Sequence, residues 1–375
     1  MKKILFVFGT RPEAIKMAPV INIFKQDSSN FKTLVAVTAQ HREMLDQVLD
    51  AFNIIPDYDF DLMAKNQTLG NLTTNILSSI SDTLSIVNPD IIFVQGDTTT
   101  TFATSLASFY QKIPVGHIEA GLRTNNKYSP FPEEINRRIT TQIASYHFPP
   151  TEQAKMNLLH EGIKEENITV TGNTVIDALL SISENSDNSS DEHIKRFSNL
   201  YGISFKNIKT ILVTGHRRES FGEGFENICY AIKYLAEGNK IQFIFPVHLN
   251  PSVQEPVNRI LGDIKNVYLI PPQEYVPFVL LTKNAHIILT DSGGVQEEAP
   301  ALGKPVLVMR DVTEREEGVK SGTARLVGTD RKRIISNVEL LINNQSQYDI
   351  MAKAANPYGD GKASLSILKF IRNKL

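Results

Sequence analysis

Short apolar runs alternate with amphipathic helical stretches along the whole chain, and this alternation is the feature that most constrains the fold. The runs are apolar at consecutive positions, which is typical of strands buried on both faces of a parallel sheet. Because the alternation occurs in each half, the predicted fold class is α/β, with two Rossmann-like doubly wound domains. Predicted strands cover 3–9, 33–39, 90–97, 113–121, 210–216, 241–248, 267–272, 286–294 and 305–310, and predicted helices include 14–26, 42–52, 99–110, 223–236 and 274–284.

The length of the chain also favours two domains. Its 375 residues exceed the size at which one hydrophobic core is usual. We place the crossover between the domains at about residues 170–185. The polar stretch "SENSDNSSDEH" (183–193) has no apolar anchor, so it predicts a mobile loop near this boundary. The last helical stretch, 363–375, fits either domain by its own pattern.

Composition excludes several classes of protein. The net charge of −2 provides no global field that would recruit nucleic acid or an anionic membrane. Cys229 is the only cysteine, which excludes an intramolecular disulfide and a cysteine metal cluster, and its helical pattern predicts a core position. The apolar run Ile4 to Phe8 ends at a Gly and an Arg-Pro pair, so it predicts a strand and not a signal peptide. We therefore expect a cytoplasmic protein with no membrane partner.

Acidic side chains follow predicted strands of the first half, where ligands gather in open α/β sheets. Asp97 comes directly after a strand, although capping of the next helix would also explain it. Glu119 lies at a buried strand end, where a carboxylate without a partner costs on the order of a few kcal/mol. Glu133 and Arg137 are four residues apart on one helix face, which fits either a site or an exposed ion pair worth some tenths of a kcal/mol.

Cationic side chains follow the first strand. The segment "GTRPEAIK" places Arg11 and Lys16 near a helix start, with Thr10 as the expected cap and Pro12 in the first turn. It contains one glycine where a dinucleotide fingerprint needs three. The segment therefore predicts positive charge for an anion, without predicting a dinucleotide site.

A second group of cations follows the first strand of the second half. The segment "TGHRRESFGEGF" (214–225) brings three possible cations, His216, Arg217 and Arg218, together between a strand and a glycine-containing loop, which predicts an anion site. His248 and Arg315 follow other predicted strands and are weaker candidates for the same role.

The stretch "TDSGGVQEEAP" (290–300) predicts a strand that turns into a helix whose N–H groups face an anion. Together with the strand-end residues, it predicts two domains that face each other across a cleft. One domain would contribute carboxylates, and the other would contribute cations and a glycine-rich helix start. Such a cleft suits a nucleotide diphosphate attached to a sugar, although the residues alone do not name the reaction.

Taken together, these motifs resemble the non-hydrolysing UDP-N-acetylglucosamine 2-epimerases. The resemblance covers almost the whole chain and implies the two-domain glycosyltransferase B fold, in which the final helix returns to the first domain. The expected domains are therefore 1–172 with 363–375, which carries the catalytic carboxylates, and 173–362, which binds UDP. Nine blocks carry the resemblance, in this order: "FGTRPEAIKMAP", "TAQHREMLDQVL", "VQGDTTTTFA", "HIEAGLRT", "SPFPEEINRR", "VTGNTVIDAL", "LVTGHRRESFG", "DSGGVQEEAPALGKPVLVMRDVTER" and "NPYGDGKAS".

The family interconverts UDP-GlcNAc and UDP-ManNAc by eliminating UDP to give 2-acetamidoglucal and adding it back, which supplies ManNAc units for cell-surface polysaccharides. A carboxylate with a pKa of roughly 4 cannot remove the C2 proton unaided, so cleavage at C1 must acidify that proton. The site needs a diphosphate trap and carboxylates for proton transfer. The resemblance thus implies no cofactor, no metal, UDP-GlcNAc and UDP-ManNAc as ligands, and a homodimer.

The resemblance also implies a role for each matching position. Asp97, Glu119 and Glu133 would be the acid/base carboxylates, and His216 would stabilise or protonate the departing diphosphate. The helix start would bind phosphate, and a glutamate beyond it would accept hydrogen bonds from the ribose hydroxyls. A phenylalanine would stack on uracil, unless it belongs to the helical core. The residues that would bind UDP and the sugar are Arg11, Lys16, Arg137, Phe278, Ser292, Gly293, Gly294, Glu298 and Arg315.

Some bacterial members of the family bind a second UDP-GlcNAc as an activator. Asn66 stands where activator-dependent members tend to carry Arg, and Glu43 stands where some relatives have Gln, so activation stays open. Glu316 replaces a usual Pro, which bears on loop stiffness more than on chemistry. The residues that would match an activator site are Gln40, Glu43, Gln67, Arg217 and His248.

Other functions fit parts of this pattern. A hydrolysing epimerase would release ManNAc and UDP, and a glycosyltransferase would share the fold and the nucleotide site but need an acceptor. A non-catalytic nucleotide-sugar sensor is compatible if the carboxylates are only caps. A nicotinamide-dependent 4-epimerase is disfavoured, since the glycine fingerprint is missing and the Tyr358–Lys362 pair falls in a glycine-rich turn.

Overall fold

The computed structural model describes residues 1–38, 42–62, 67–184, 189–238 and 240–375, without the side chains of Glu43 and of residues 189–191. Tertiary contacts divide the described chain into two compact units. Unit 1 comprises Met1–Ala178 and Tyr358–Leu375, and unit 2 comprises Leu179–Pro357. The boundaries expected from the sequence were 172/173 and 362/363. In the described ranges, no helix is both long enough and apolar enough to cross a membrane.

The elements follow each other along the chain in βα order. Unit 1 contains strands β1 (Lys2–Phe8), β2 (Phe31–Val37), β3 (Tyr58–Asp59), β4 (Ile91–Gln95), β5 (Val115–Ile118) and β6 (Tyr146–Phe148), and helices α1 (Arg11–Gln26), α2 (Arg42–Ala51), α3 (Leu69–Val87), α4 (Thr99–Tyr110), α5 (Glu133–Ile143) and α6 (Glu152–His160). Helix α7 (Thr174–Glu184) begins in unit 1 and ends in unit 2.

Unit 2 repeats the pattern. Its helices are α8 (Ser189–Tyr201), α9 (Glu223–Gly238), α10 (Pro251–Leu261), α11 (Tyr275–Asn284), α12 (Gly293–Glu298), α13 (Glu316–Ser321), α14 (Arg331–Asn343) and α15 (Gln345–Ala352), and its strands are β7 (Lys209–Thr214), β8 (Ile241–Pro246), β9 (Val267–Ile270), β10 (Ile287–Thr290), β11 (Val306–Val308) and β12 (Ala324–Leu326). The last helix, α16 (Ala363–Arg372), belongs to unit 1.

Each unit is built on one parallel sheet with the same strand order. The order is β3-β2-β1-β4-β5-β6 in unit 1 and β9-β8-β7-β10-β11-β12 in unit 2. In each sheet the other strands lie on both sides of a central pair, which is β1 with β4 in unit 1 and β7 with β10 in unit 2. This is the doubly wound arrangement, in which ligands bind beyond the carboxyl ends of the central strands. The predicted fold class, α/β with two Rossmann-like domains, is confirmed.

Local sequence explains how α1 begins beside the central strand of unit 1. Thr10 and Glu13 form a capping box, and Pro12 lies in the first turn. Backbone N–H groups in the first turn have no acceptor within the helix, so the absence of an N–H in proline breaks no hydrogen bond there. Aromatic rings then fill the layer between α1 and the sheet, with Phe6 stacked on Phe93 at 5.0 Å. The start of α1 is therefore fixed at the carboxyl end of β1.

The closing helix α16 packs on unit 1 through its aromatic and charged side chains. Phe370 meets Phe148 edge to face at a ring distance of 5.5 Å, and Arg372 donates to Asp27 at 2.8 Å. The carboxylate of Asp177 also accepts the first amides of α16, from Ala363 and Ser364. These contacts place the C-terminal helix with the first sheet.

Two details of the sequence-based prediction differ from the structure. The stretch 183–193 is not a loop throughout, because α7 runs to Glu184 and α8 begins at Ser189; residues 185–188 lie outside the described residues. Three strands of at most three residues, β3, β6 and β12, were not predicted, since runs this short show no periodic pattern.

Cys229 is fully buried in the core of unit 2 as predicted, and burial raises the pKa of its thiol to about 12.

Candidate active site

The loops that follow β1, β4 and β5 bring the predicted polar residues of unit 1 together. Arg11 follows β1, Asp97 follows β4, and Glu119 follows β5. These three strands are neighbours in the order β1-β4-β5. Because the strands are parallel, their carboxyl ends lie on the same edge of the sheet. Polar residues that are far apart in sequence therefore share one site.

Asp97 does not cap the helix that follows it. Thr98 is the N-cap of α4, and its hydroxyl accepts the Thr101 amide at 3.1 Å. Gly96, with a positive φ of 71°, turns the chain between β4 and Asp97 in a conformation that suits glycine. The Asp97 carboxylate instead pairs with Arg137 at 3.2 Å. The capping interpretation of Asp97 is therefore wrong.

The environment of Asp97 strongly perturbs the pKa of its carboxyl group. Burial raises its pKa to about 6, against the attraction of Arg137. Repulsion from Glu119 and Glu133 raises the pKa further, and Lys16 lowers it. A carboxyl group with a pKa near neutral exchanges protons readily at physiological pH.

Glu119 has a strained backbone and well-defined partners. Its φ of 62° lies in the left-handed region, which non-glycine residues rarely adopt. Its Oε1 receives Lys16 Nζ at 2.5 Å and Asn173 Nδ2 at 3.0 Å, and its Oε2 receives Gln95 Nε2 at 2.5 Å. These donors compensate the cost of burying the carboxylate. Strain held by surrounding contacts is a common property of functional sites.

Glu133 and Arg137 do not form the exposed ion pair that their spacing allowed. Arg137 is buried, and its guanidinium pairs with Asp97 and, at 3.5 Å, with Glu134. Glu133 is the first residue of α5, and its Oε2 atom is buried with no hydrogen bond from the described residues. Asn136, on the same helix, donates to the Asp97 carbonyl at 3.0 Å. Helix α5 thus brings one carboxylate to the site and holds another in place.

Glu13 is a buried supporting residue that the sequence did not single out. Its Oε2 accepts the amides of Gly9 and Thr10, at 3.1 and 2.8 Å. Its Oε1 accepts the hydroxyls of Thr98 and Thr101, at 2.7 and 3.3 Å. This carboxylate therefore joins the loop after β1 to the loop after β4. A helix-capping pattern was visible in the sequence, but the long-range partners were not.

In unit 2, the loops after β7 and β10 form a second polar group. The buried Asp291 carboxylate accepts the amides of His216 and Arg217 through Oδ2, at 2.7 and 2.8 Å. The His216 ring stacks on His248 at 5.3 Å with an angle of 19°. Burial lowers the pKa of His216, the attraction of Asp291 opposes this change, and electrostatic interaction with His248 and Arg217 reinforces it.

The segment that follows β10 has the predicted turn into a helix. Ser292 is at the N-cap position of α12, which begins at Gly293. A side chain at 293 would place its Cβ 3.4 Å from the Arg315 guanidinium carbon, so that cation lies directly beside the helix start. Glu298 reaches back toward the first turn, since a Cβ at Gly294 would lie 3.3 Å from its Oε1.

Acidic residues around this segment are paired with arginines. Glu297 accepts Arg315 Nε at 2.8 Å. The buried Arg310 donates to Glu219 at 2.6 Å and to Glu314 at 2.8 Å. Arg310 therefore links the loop after β7 to the loop that carries Arg315. No sequence pattern indicates this link, because Arg310 and Glu219 lie about ninety residues apart.

The remaining predicted residues are placed as follows. Phe278 is half-buried against the core of unit 2. Gln67 lies in unit 1, whereas Arg217 and His248 lie in unit 2. Gln40 and Asn66 lie outside the described residues, as does the side chain of Glu43.

A family model, curated proteins and solved structures that closely resemble this chain all indicate one family. The family described as UDP-N-acetylglucosamine 2-epimerase matches residues 24–372. The chain is 56% identical to the UDP-N-acetylglucosamine 2-epimerase of Escherichia coli K12 over 372 residues, which cover 99% of this chain and 98% of that one.

Solved structures show the same likeness. The crystal structure of UDP-GlcNAc 2-epimerase from Neisseria meningitidis bound to UDP-GlcNAc is 53% identical, with a TM-score of 0.86 over 99% of this chain and 100% of the other. That of the Methanocaldococcus jannaschii UDP-GlcNAc 2-epimerase in complex with UDP-GlcNAc and UDP is 34% identical, with a TM-score of 0.76 over 99% of both chains.

The pKa of Asp97 provides a direct test of the unit 1 geometry. We expect its carboxyl to titrate near pH 6 in carbon-13 NMR spectra of aspartate-labelled protein, assigned with Asp97→Asn. The substitution Arg137→Met should raise this pKa further, since it removes a cation that stabilises the ionised form. Arg138→Met is the control, because Arg138 pairs with Glu134 and not with Asp97. Titration of Asp97 near its ordinary value of about 4 would contradict the geometry.

Proposed function

This chain belongs to the UDP-N-acetylglucosamine 2-epimerase family, and we propose that it inverts C2 of UDP-GlcNAc by eliminating UDP and adding it back, without net hydrolysis. The intermediate is 2-acetamidoglucal and the product is UDP-ManNAc. The carboxylate cluster of unit 1 carries this proposal, because Glu119 and Glu133 lie close enough to Asp97 to raise its pKa, beside the cations Arg137 and Lys16 that lower it. Inversion at C2 needs one group to take a proton and another to return a proton to the opposite face.

The described contacts support different roles for the carboxylates. Asp97 has a pKa raised to about 6 by burial, so both of its protonation states are accessible near neutral pH. Glu119 is held by an ammonium and two amides, which favour its ionised form. Glu133 has a buried oxygen with no hydrogen bond from the described residues, which leaves that atom for a substrate group. Neighbouring carboxyls in unlike environments are a recurring basis for acid/base pairs.

Unit 2 supplies the groups that we propose for the leaving group. During elimination the C1–O bond breaks and its electrons remain on the diphosphate oxygen, while the C2 proton passes to a carboxylate. His216 would stabilise or protonate the diphosphate, and Ser292 and Gly293 at the start of α12 would bind phosphate together with Arg315. Glu298 would accept from the ribose hydroxyls, and Phe278 would stack on uracil. Arg11 has no ion pair within the described ranges, so it would be available to the nucleotide sugar.

Isotope exchange tests the reaction. The protein is incubated with UDP-GlcNAc in D2O and followed by NMR. We expect UDP-ManNAc with deuterium at C2, because the abstracted proton exchanges with solvent before re-addition. Release of free ManNAc and UDP would instead identify a hydrolysing epimerase, and UDP-ManNAc that keeps its C2 hydrogen would exclude the elimination route.

Amide substitutions test the three carboxylates. We expect Asp97→Asn, Glu119→Gln and Glu133→Gln each to lower kcat by roughly 10²-fold or more, as loss of a general acid or base does. UDP should still bind, since none of the three carboxylates is a proposed contact of UDP. Glu152→Gln, on the exposed first turn of α6, is the matched control. A near-normal kcat in any of the three variants would remove that residue from the mechanism.

We also propose that the chain forms a homodimer through the ends of α3 and α4. Ile86, Phe109 and Tyr110 are 77%, 60% and 66% exposed, and Gln111 donates to Ser81 at 2.8 Å, which brings these helix ends together. Large exposed apolar groups of this kind commonly mark protein interfaces. Sedimentation should give twice the chain mass for the wild type and a lower mass for Phe109→Ser/Tyr110→Ser. Ile55→Ser, at another exposed apolar position, should leave the mass unchanged, and an unaltered dimer in the double variant would refute this surface.

Three further expectations stay predictions. They are the activator site, the cytoplasmic location, and the use of the product as a source of ManNAc units for cell-surface polysaccharide. The activator site includes residues outside the described part of the chain, and the other two depend on the cell and not on the fold.

A further inference from the structure

The Asp291 carboxylate has two oxygens in unlike situations. The residue follows β10 and is 1% exposed. Its Oδ2 accepts two backbone amides, at 2.7 and 2.8 Å. Its Oδ1 is buried and has no hydrogen bond from the described residues. Buried oxygens without a partner are uncommon in folded proteins and call for an explanation.

His216 lies in front of this oxygen. Its Nδ1 is 3.4 Å from Asp291 Oδ1, and 43% of its side chain is exposed. His248 covers one face of the ring at a centroid distance of 5.3 Å. The charged and titratable groups that influence the imidazole are Asp291 from the loop after β10, His248 from the loop after β8, and Arg217 on its own loop.

This contact restricts the protonation of the imidazole. If Nδ1 carried a lone pair, it would face the lone pairs of Oδ1 in a buried position, and the two would repel. With a proton on Nδ1, a small rotation of the ring closes a charge-assisted hydrogen bond. The neutral ring then has its lone pair on Nε2, and only the imidazolium has an N–H at that exposed nitrogen.

We propose that Asp291 is the positioning residue of His216, which holds a proton on Nδ1 and presents Nε2 to the diphosphate. The carboxylate stabilises the imidazolium that the departing diphosphate needs, as a buried aspartate does behind a catalytic histidine. When the C1–O bond breaks, Nε2–H donates to the phosphate oxygen that receives the electron pair. On re-addition the proton remains with Nε2, so the cycle leaves His216 unchanged. This inference rests on the role proposed for His216.

Nitrogen-15 NMR of histidine-labelled protein tests the pair without any measurement of activity. The His216 signals are assigned by their loss in His216→Asn. In the wild type above its pKa, we expect a protonated Nδ1 and an unprotonated Nε2, and with UDP bound we expect the imidazolium to persist to higher pH. A neutral His216 protonated on Nε2 in the wild type would overturn the proposal.

The substitution Asp291→Asn should reverse the tautomer of His216. The asparagine oxygen can still accept the two amides, while its NH2 group donates to Nδ1 and reverses the tautomer to Nε2–H. We expect the pKa of His216 in the UDP complex to fall and kcat to drop by roughly 10²-fold, with little change in KM. Asp263→Asn, at an exposed position of the same unit, is the control. An unchanged tautomer and pH profile in Asp291→Asn would refute the positioning role.

One comparison distinguishes this inference from the proposed function. If His216→Asn keeps the wild-type kcat, the role proposed for His216 is wrong and the catalytic consequence of Asp291 is wrong with it. If His216→Asn loses activity and Asp291→Asn does not, the function stands and only the Asp291 inference fails.

Discussion

Parallel pairing of the central strands decides where charge can accumulate in this molecule. Because β1 pairs with β4 and β7 pairs with β10, the loops that leave these strands begin at one edge of each sheet. Backbone amides and helix starts there lack strand partners, so polar side chains can satisfy them. Glu13 does this between the loops after β1 and β4, and Asp291 does it between the loops after β7 and β10. Each sheet thus has one buried carboxylate that ties its two central loops together.

The chemical difference between the carboxylates of unit 1 arises from their surroundings and not from their residue type. Glu119 can remain charged at a buried strand end because three donors reach it, although its backbone is strained at a φ of 62°. Burial raises the pKa of Asp97 to about 6, and its one close cation does not offset this effect because other carboxylates lie nearby. Full hydration of the site would weaken both the stabilisation of the Glu119 charge by its donors and the rise in the pKa of Asp97. The edge of this sheet therefore holds a carboxyl group whose pKa lies near neutral pH.

Much of this could be predicted from the sequence, and the failures have clear physical causes. The apolar runs specified both sheets, since buried parallel strands must be apolar on both faces. Strand-end positions then indicated Asp97, Glu119 and His216. Pairings between distant segments could not be predicted, so the links of Arg137 to Asp97 and of Arg310 to Glu219 were missed. The polar stretch 183–193 was predicted as a loop because it lacks apolar anchors, yet its described ends are helical.

An acidic sequence can still form a site for an anion if each carboxylate already has a partner. In unit 2, Glu297 pairs with Arg315, and Glu219 and Glu314 pair with Arg310. Asp291 is buried beneath the amides that it accepts. Repulsion of a phosphate by these groups is therefore reduced, while the amides at the start of α12 stay oriented by the helix. Arg315 lies beside Gly293, within van der Waals distance of the position a Cβ would take there. Glu297, which follows the two glycines, thus holds this cation in place, and its own charge is compensated.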